Sequence, residues 1–373
     1  MSITSISSKN KNLLWAVTAG RCEYAGCNKV LHTDILTNKK CNSAYIAHIV
    51  GDEPTGPRGD VKRSKLLAND INNLMLLCDT HHRMVDEDEI TYTESSLLEM
   101  KRQHEERIKR ITNIALNMSS EIILYGANIG TNNSPLSYQS ANEALLYDYY
   151  PANDYPIELG YKNASLTDDM DAYWIAEEAN LFTQFNQKIK PRLMLGNTDH
   201  YSVFAIAPQP LLIKFGVLLN DLNNVKIYQK HREPSTWKWQ AGSSNIEYIL
   251  REPYDKTKVP VLVFSLSATV TYDRIQKALG DNTSIWEITI SGAPHNDFLK
   301  TEALLSDFRR TVRHTFNKIK SYHGYTGLHI FPAMPVSASV ELGRVWMPKV
   351  DMPMTIYDAN KEKNDFYKTI TIK

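Results

Sequence analysis

An α/β fold in two unlike parts is predicted by three patterns in the 373-residue chain. The first is a short apolar run, Leu74 to Leu77, that ends in Cys78 and the pair His81 and His82. Four apolar residues are too few for a helix core and suit a buried strand. The second is an internal repeat: Phe204, Pro208 and Gly216 recur as Phe331, Pro335 and Gly343 at a constant offset of 127 residues. The third lies between the two copies, where the β-branched runs 259–270 and 284–292 are each followed by an amphipathic segment. The longer of these, 300–322, sets Leu304, Leu305, Phe308, Val312, Phe316 and Ile319 at helical spacing. A small N-terminal module followed by a larger parallel-sheet domain accounts for all three.

In the small module the chemistry sits where the strand ends. Cys78 and His81 have the C-x-x-H spacing of half a tetrahedral zinc site, and Cys22 and Cys27, a C-x4-C knuckle, supply the other half. His82 remains, and neighbouring side chains at a helix start point in different directions, so it can serve a second site. Thr93 to Arg110 reads as a closing helix: Thr93 or Ser95 caps it, glutamates fill its first turn and basic residues its last. Cys41 is expected to be a free thiol, and His32 and His104 surface residues.

The knuckle, Ala47-His48-Ile49 and the run from Asn73 to His82 together resemble the HNH endonuclease module, the ββα-metal nucleases, over residues 1–114. The resemblance implies His48 as general base, Asn73 as the residue that orients it through a hydrogen bond, and His82 as holder of a catalytic magnesium ion. Many relatives carry an acidic residue before the first histidine as a second metal ligand; here it is Ala47, leaving Asp52, Asp60 or Asp70 as substitutes.

Composition narrows the setting. Lys+Arg and Asp+Glu are equal at 42 each, so non-specific attraction to nucleic acid is not built into the chain as a whole. Residues 1–114 carry 16 basic against 15 acidic side chains, with Arg58, Lys62, Arg63 and Lys65 as a local basic strip. Four cysteines, three of them in the zinc reading, fit a reducing compartment. The sequence shows no signal-peptide core and no run long enough to cross a bilayer, so a soluble cytoplasmic protein is expected.

Residues 115–165 read as a tyrosine-rich connector packed on the second domain, with one strand at Ile122–Tyr125. In the repeat, 202–230 and 329–359 each read strand, proline turn, helix with a small residue, strand: a βαβ unit that ends near Tyr228 or Tyr357. Two such Rossmann-like halves offer strand C-termini to one crevice, a common site for a nucleotide. The absence of G-x-G-x-x-G argues against a dehydrogenase-type dinucleotide. The paired F-x-x-x-P…G…Y pattern and the W-x-W of Trp237 and Trp239 resemble the SAVED domain, two fused CARF-like halves that sense cyclic oligonucleotides, over about 166–373. For such a ligand the aromatic candidates are Trp174, Trp237, Trp239 and Trp346. The polar ones are Gln209, Lys230, Arg232, His295, Asn296 and Arg344.

HNH followed by SAVED resembles the Cap5 effectors of bacterial CBASS antiphage systems. That resemblance implies a cytoplasmic effector in which a cyclic dinucleotide from a partner nucleotidyltransferase binds the sensor, drives homo-oligomer assembly and switches on magnesium-dependent hydrolysis of double-stranded DNA. Two other readings stay open: a non-catalytic nucleic-acid-binding regulator, favoured by Ala47, and a constitutive modification-dependent restriction enzyme.

Overall fold

The computed structural model describes residues 4–34, 36–115, 117–132, 134–146, 148–161, 165–195, 200–219, 224–242, 245–360 and 365–373. The chain divides into two compact units, Met1–Ala115 and Leu116–Lys373.

The first unit holds α1 (Ser8–Val17), β1 (Ala44–His48), α2 (Ser64–Leu67), β2 (Leu74–Cys78), α3 (Asp79–Glu87) and α4 (Glu94–Thr112). β1 and β2 form an antiparallel pair in which His48 faces Leu74 and Ala44 faces Cys78. Every residue of β2 is buried, as its apolar run requires. The chain passes from Cys78 straight into α3, with Asp79 in the first turn where the helix dipole favours a carboxylate. Thr93 Oγ1 accepts from the Ser96 amide and caps α4. One expectation fails here: His104 is buried at 7 % exposure, with Nε2 against the Thr18 carbonyl at 3.1 Å.

The second unit begins with β3 (Ser119–Gly126), α5 (Tyr138–Leu145), β4 (Tyr150–Pro151), β5 (Ile157–Leu159), α6 (Asp171–Gln184) and α7 (Lys190–Leu195), the last two joined by a π-helical turn. β6 (Tyr201–Ile206), α8 (Gln209–Leu218) and β7 (Val225–Ile227) complete its first half. The strand order is β4-β3-β6-β7, with β5 also on β3, and every pairing is parallel. Residues 115–165 therefore do more than connect: β3 is an internal strand, Tyr125 lies in the core of the second unit, and Tyr138 and Tyr149 pack against it, while Tyr155 and Tyr161 are exposed. What misleads in the sequence is that β4 and β5 are too short to show a period.

The second half contains β8 (Tyr248–Arg251), β9 (Val259–Ser265), α9 (Tyr272–Leu279), β10 (Thr283–Ile290), α10 (Glu302–His323), β11 (Leu328–Ala333), α11 (Val336–Val345), β12 (Met354–Asn360) and β13 (Asp365–Ile372). Its sheet runs β13-β12-β11-β9-β10-β8, parallel in the middle with an antiparallel strand at each edge.

The repeat is explicit in this geometry. β6-α8-β7 and β11-α11-β12 are each a parallel strand, helix, strand unit; residues 220–223 of the first copy lie outside the described residues. Phe204 stacks on Tyr228 with ring centroids 4.4 Å apart, and Phe331 stacks on Tyr357 at the same 4.4 Å. The two helices cross at their equivalent glycines. A Cβ on Gly216 would lie 1.9 Å from the Val340 carbonyl oxygen, and one on Gly343 would lie 2.0 Å from that of Ile213. Only glycine allows this approach. Gln209 and Gln229 then join the halves: Gln209 Oε1 accepts from the Met334 amide at 3.1 Å, and Gln229 Oε1 accepts from the Ser337 hydroxyl at 2.7 Å.

Candidate functional site

In the first unit, Cys22, Cys27, Cys78 and His81 converge, their four ligand atoms all within 4.8 Å of one another. His81 Nδ1 lies 3.2 Å from Cys78 Sγ and 3.6 Å from Cys22 Sγ. The Tyr24 ring stacks on His81 at 3.9 Å and holds the imidazole plane. Burial pushes the Cys22 thiol up to about 12, so this sulfur would become a thiolate ligand only with a cation beside it. Burial also lowers His81, keeping its ring neutral and able to ligate. Three sulfurs and one imidazole at this distance suit zinc better than any hard cation.

His48 closes β1, and its Nε2 meets the Ala68 carbonyl oxygen at 2.9 Å. A carbonyl only accepts, so Nε2 carries a proton, and in the neutral tautomer the free lone pair is the one on Nδ1. Asn73 differs from expectation. Its amide does not reach the His48 ring; it accepts from the Val50 amide at 2.8 Å and donates to the Val50 carbonyl at 2.9 Å. It therefore fixes the chain two residues beyond His48, and the orienting partner of the imidazole is Ala68.

His82 is 29 % exposed on α3, its ring 5.2 Å from that of Tyr45 on β1. One turn on, Asp86 Oδ2 lies 3.7 Å from His82 Nδ1 and is a third exposed. The three acids suggested by the sequence are engaged elsewhere. Asp60 accepts from the Lys62 and Arg63 amides, Asp70 from that of Asn72, and Asp52 from that of Thr4. Sequence reading missed Asp86, although its i+4 position from His82 on a predicted helix start was a usable signal. The basic strip is also reduced. Arg58 is only 6 % exposed, donating to the Ile49 carbonyl at 2.7 Å and to Asp86 at 3.1 Å, and Arg63 is paired with Glu94.

In the second unit the strand C-termini gather part of the candidate set. Gln209 opens α8 and touches Met334, the Arg232 amide donates to Asp297 at 3.2 Å, and the His295 amide donates to the Leu266 carbonyl at 3.1 Å. The Arg232, His295 and Asn296 side chains are exposed there, with Lys230 half-buried beside Ser235. Three tryptophans are corrections. Trp174 (5 % exposed), Trp237 (1 %) and Trp346 (2 %) are core residues; the indole N–H groups of Trp174 and Trp346 donate to the Asp168 and Met352 carbonyls, and Trp237 meets Phe204 edge-on. No face is left for a base. Trp237 and Trp239 are also not in a strand, so their shared side does not follow. Trp239 stays half-buried, its N–H donating to Ile227. Arg344 is the fourth correction: it lies in the last turn of α11, whose other end faces the strand C-termini, and pairs with Glu341.

His231 was overlooked. It follows β7, is 1 % exposed, and neither ring nitrogen meets a hydrogen-bond partner. Burial, then the nearby Lys300 ammonium, pushes it down to about 4, so it is neutral.

Comparison with known proteins fits this architecture. Residues 181–372, just over half of the chain, match the model of the SAVED family, described as the SMODS-associated and fused to various effectors sensor domain. The chain belongs to the SAVED family. Solved structures similar to it include the Acinetobacter baumannii Cap4 SAVED/CARF-domain containing receptor with the cyclic trinucleotide 2'3'3'-cAAA, at 13 % identity and a TM-score of 0.43 over 83 % of this chain and 66 % of that one. The same receptor described without a nucleotide gives 12 % and 0.42 over 83 % and 65 %. The Moraxella osloensis Cap4 receptor gives 9 % and 0.35 over 84 % and 66 %. The chain thus spans less than two thirds of the length of each. No curated protein matches. Among the described residues no helix is long and apolar enough to cross a membrane.

Proposed function

We propose that the chain is a ligand-gated DNA endonuclease of antiphage defence, in which a cyclic oligonucleotide bound by the SAVED unit switches on an HNH-type nuclease in the first unit. The observation that carries the nuclease half is the convergence of Cys22, Cys27, Cys78 and His81 at the end of a two-stranded hairpin that also carries His48. The zinc would be structural, since four protein donors leave no open position. His48 would take a proton from the attacking water at Nδ1, held by its bond to Ala68. His82 and Asp86 would hold a divalent cation, which when bound supplies Lewis-acid stabilisation of the leaving oxygen. Two ligands suit magnesium, which keeps several waters. Arg58 aligns Asp86 and ties the chain after β1 to α3.

The sensing half rests on family membership and on the polar groups at the strand C-termini. Two of the solved structures of the Acinetobacter baumannii Cap4 receptor are described with a cyclic trinucleotide, so rings of two and of three nucleotides belong in one assay. Plasmid cleavage with magnesium is measured against a panel of both, using the wild type, His48→Ala and Asp86→Asn. Cutting with one ligand, lost in His48→Ala by at least about a hundredfold, is expected. Equal cutting by His48→Ala would remove the assigned base.

A further inference from the structure

α10 has an inner and an outer face of opposite character. Leu304, Leu305, Phe308, Val312, Phe316 and Ile319 are buried, while Arg309, Arg310, His314 and Asn317 are exposed. The helix carries five Lys or Arg against two acids in a chain whose total charge is zero. With the segment after α11 it borders an open hollow of 540 Å³ lined by Arg309, Arg310, Arg313, His314, Arg344 and Met347. Two buried carboxylates lie behind these guanidinium groups. Glu341 holds Arg309 at 3.0 Å and Arg344 at 2.9 Å, and Asp351 takes Arg313 through both oxygens at 2.8 and 2.9 Å. A guanidinium fixed on one edge by a buried acid is pre-oriented, and its five donors exceed what one carboxylate accepts. Arg310 is 77 % exposed and pairs with Asp307, while on the two flanks of the helix Lys318 pairs with Glu252 and Lys320 donates to the Val350 carbonyl.

We propose that this outer face of α10 is a docking surface for the phosphodiester backbone of duplex DNA. Arginines anchored at their inner edge suit phosphate oxygens. The helix spans roughly 33 Å at 1.5 Å per residue, about one turn of a duplex. Residues 1–114 carry 16 basic against 15 acidic side chains and the chain as a whole 42 against 42, so any phosphate affinity has to come from a local cluster of cations and not from net charge. The inference rests on the nuclease reading only for the choice of DNA as occupant.

The test is anisotropy of a labelled duplex a few helical turns long, titrated with the full chain over a salt series without magnesium. Arg310→Gln/Lys318→Gln/Lys320→Gln is expected to bind at least tenfold more weakly at low salt, with a log–log salt slope shallower by about two to three units. The charge-keeping variant Arg310→Lys/Lys318→Arg/Lys320→Arg is expected to keep the wild-type slope. An unchanged slope in the neutral variant overturns the proposal. So does a change of oligomer size without a change of slope, which would assign the face to contact between copies. Failure of the nuclease reading is read separately, as absence of cutting with magnesium and every cyclic nucleotide.

Discussion

Glu177 sits on α6 at 2 % exposure with its Oε2 lacking a hydrogen-bond partner, and burial raises its carboxyl from the ordinary 4.5 to about 7. The folded protein thus holds a proton that the unfolded chain releases near 4.5. A carboxyl raised in this way contributes fully below the unfolded value, and its contribution declines as pH rises through the window from 4.5 to about 7. The fall is on the order of 3 kcal/mol over that window at 1.4 kcal/mol per unit. Glu177→Gln is expected to flatten the decline, checked by denaturant unfolding at pH 5 and pH 8; parallel pH curves for the two proteins would refute the assignment. Asn73 acts at the same scale. Asn73→Ala leaves the buried Val50 amide and carbonyl without their partner, a loss of about 2–6 kcal/mol at 1–3 kcal/mol per orphaned group. That is measured by unfolding of the first unit's signal, and a loss under about 0.5 kcal/mol would mean that water replaces the amide. Residue roles were the least legible feature of the sequence. Cys22, Cys27, Cys78 and His81 converge because their spacing encodes a tetrahedral set, whereas a tryptophan's letter does not say whether its face or only its N–H finds a partner.

Among elements, the crossing of α8 and α11 is the feature most directly written in the sequence. The constant offset of Gly216 and Gly343 becomes a backbone contact between the two repeats. Gly216→Ala must push the helices apart, since its methyl would lie 1.9 Å from a carbonyl oxygen, and overpacking of this kind costs about 3 kcal/mol or more. A melting temperature within a degree or two of wild type, at roughly 2–4 degrees per kcal/mol for a domain of this size, would show that the crossing gives way at little cost. The β-branched runs gave β9 and β10, but β4, β5 and β7 span only two or three residues, too few for alternation to register. That is why the stretch before β6 read as a connector. Metal removal is also an element-scale effect. A chelator strong enough to strip zinc is expected to unfold residues 1–115, whose apolar core is small, while the sheets of the second unit persist. Hydrogen exchange resolved along the chain would show protection lost only in the first unit, and retained protection there would mean that the cysteine cluster is not metal-stabilised.

For the whole molecule, the account requires a ligand to favour a cutting-competent state, and a ligand of equal affinity for both states would change nothing. Turning a nuclease from about 1 % to 99 % active takes roughly a 10⁴-fold difference in affinity between the two states. The decisive measurement is the initial rate of plasmid cleavage with magnesium at zero and at saturating cyclic oligonucleotide, with His48→Ala alongside. The account predicts a rate increase of at least about a hundredfold with one ring of the panel and none in the variant. Equal rates with and without every ring would contradict it.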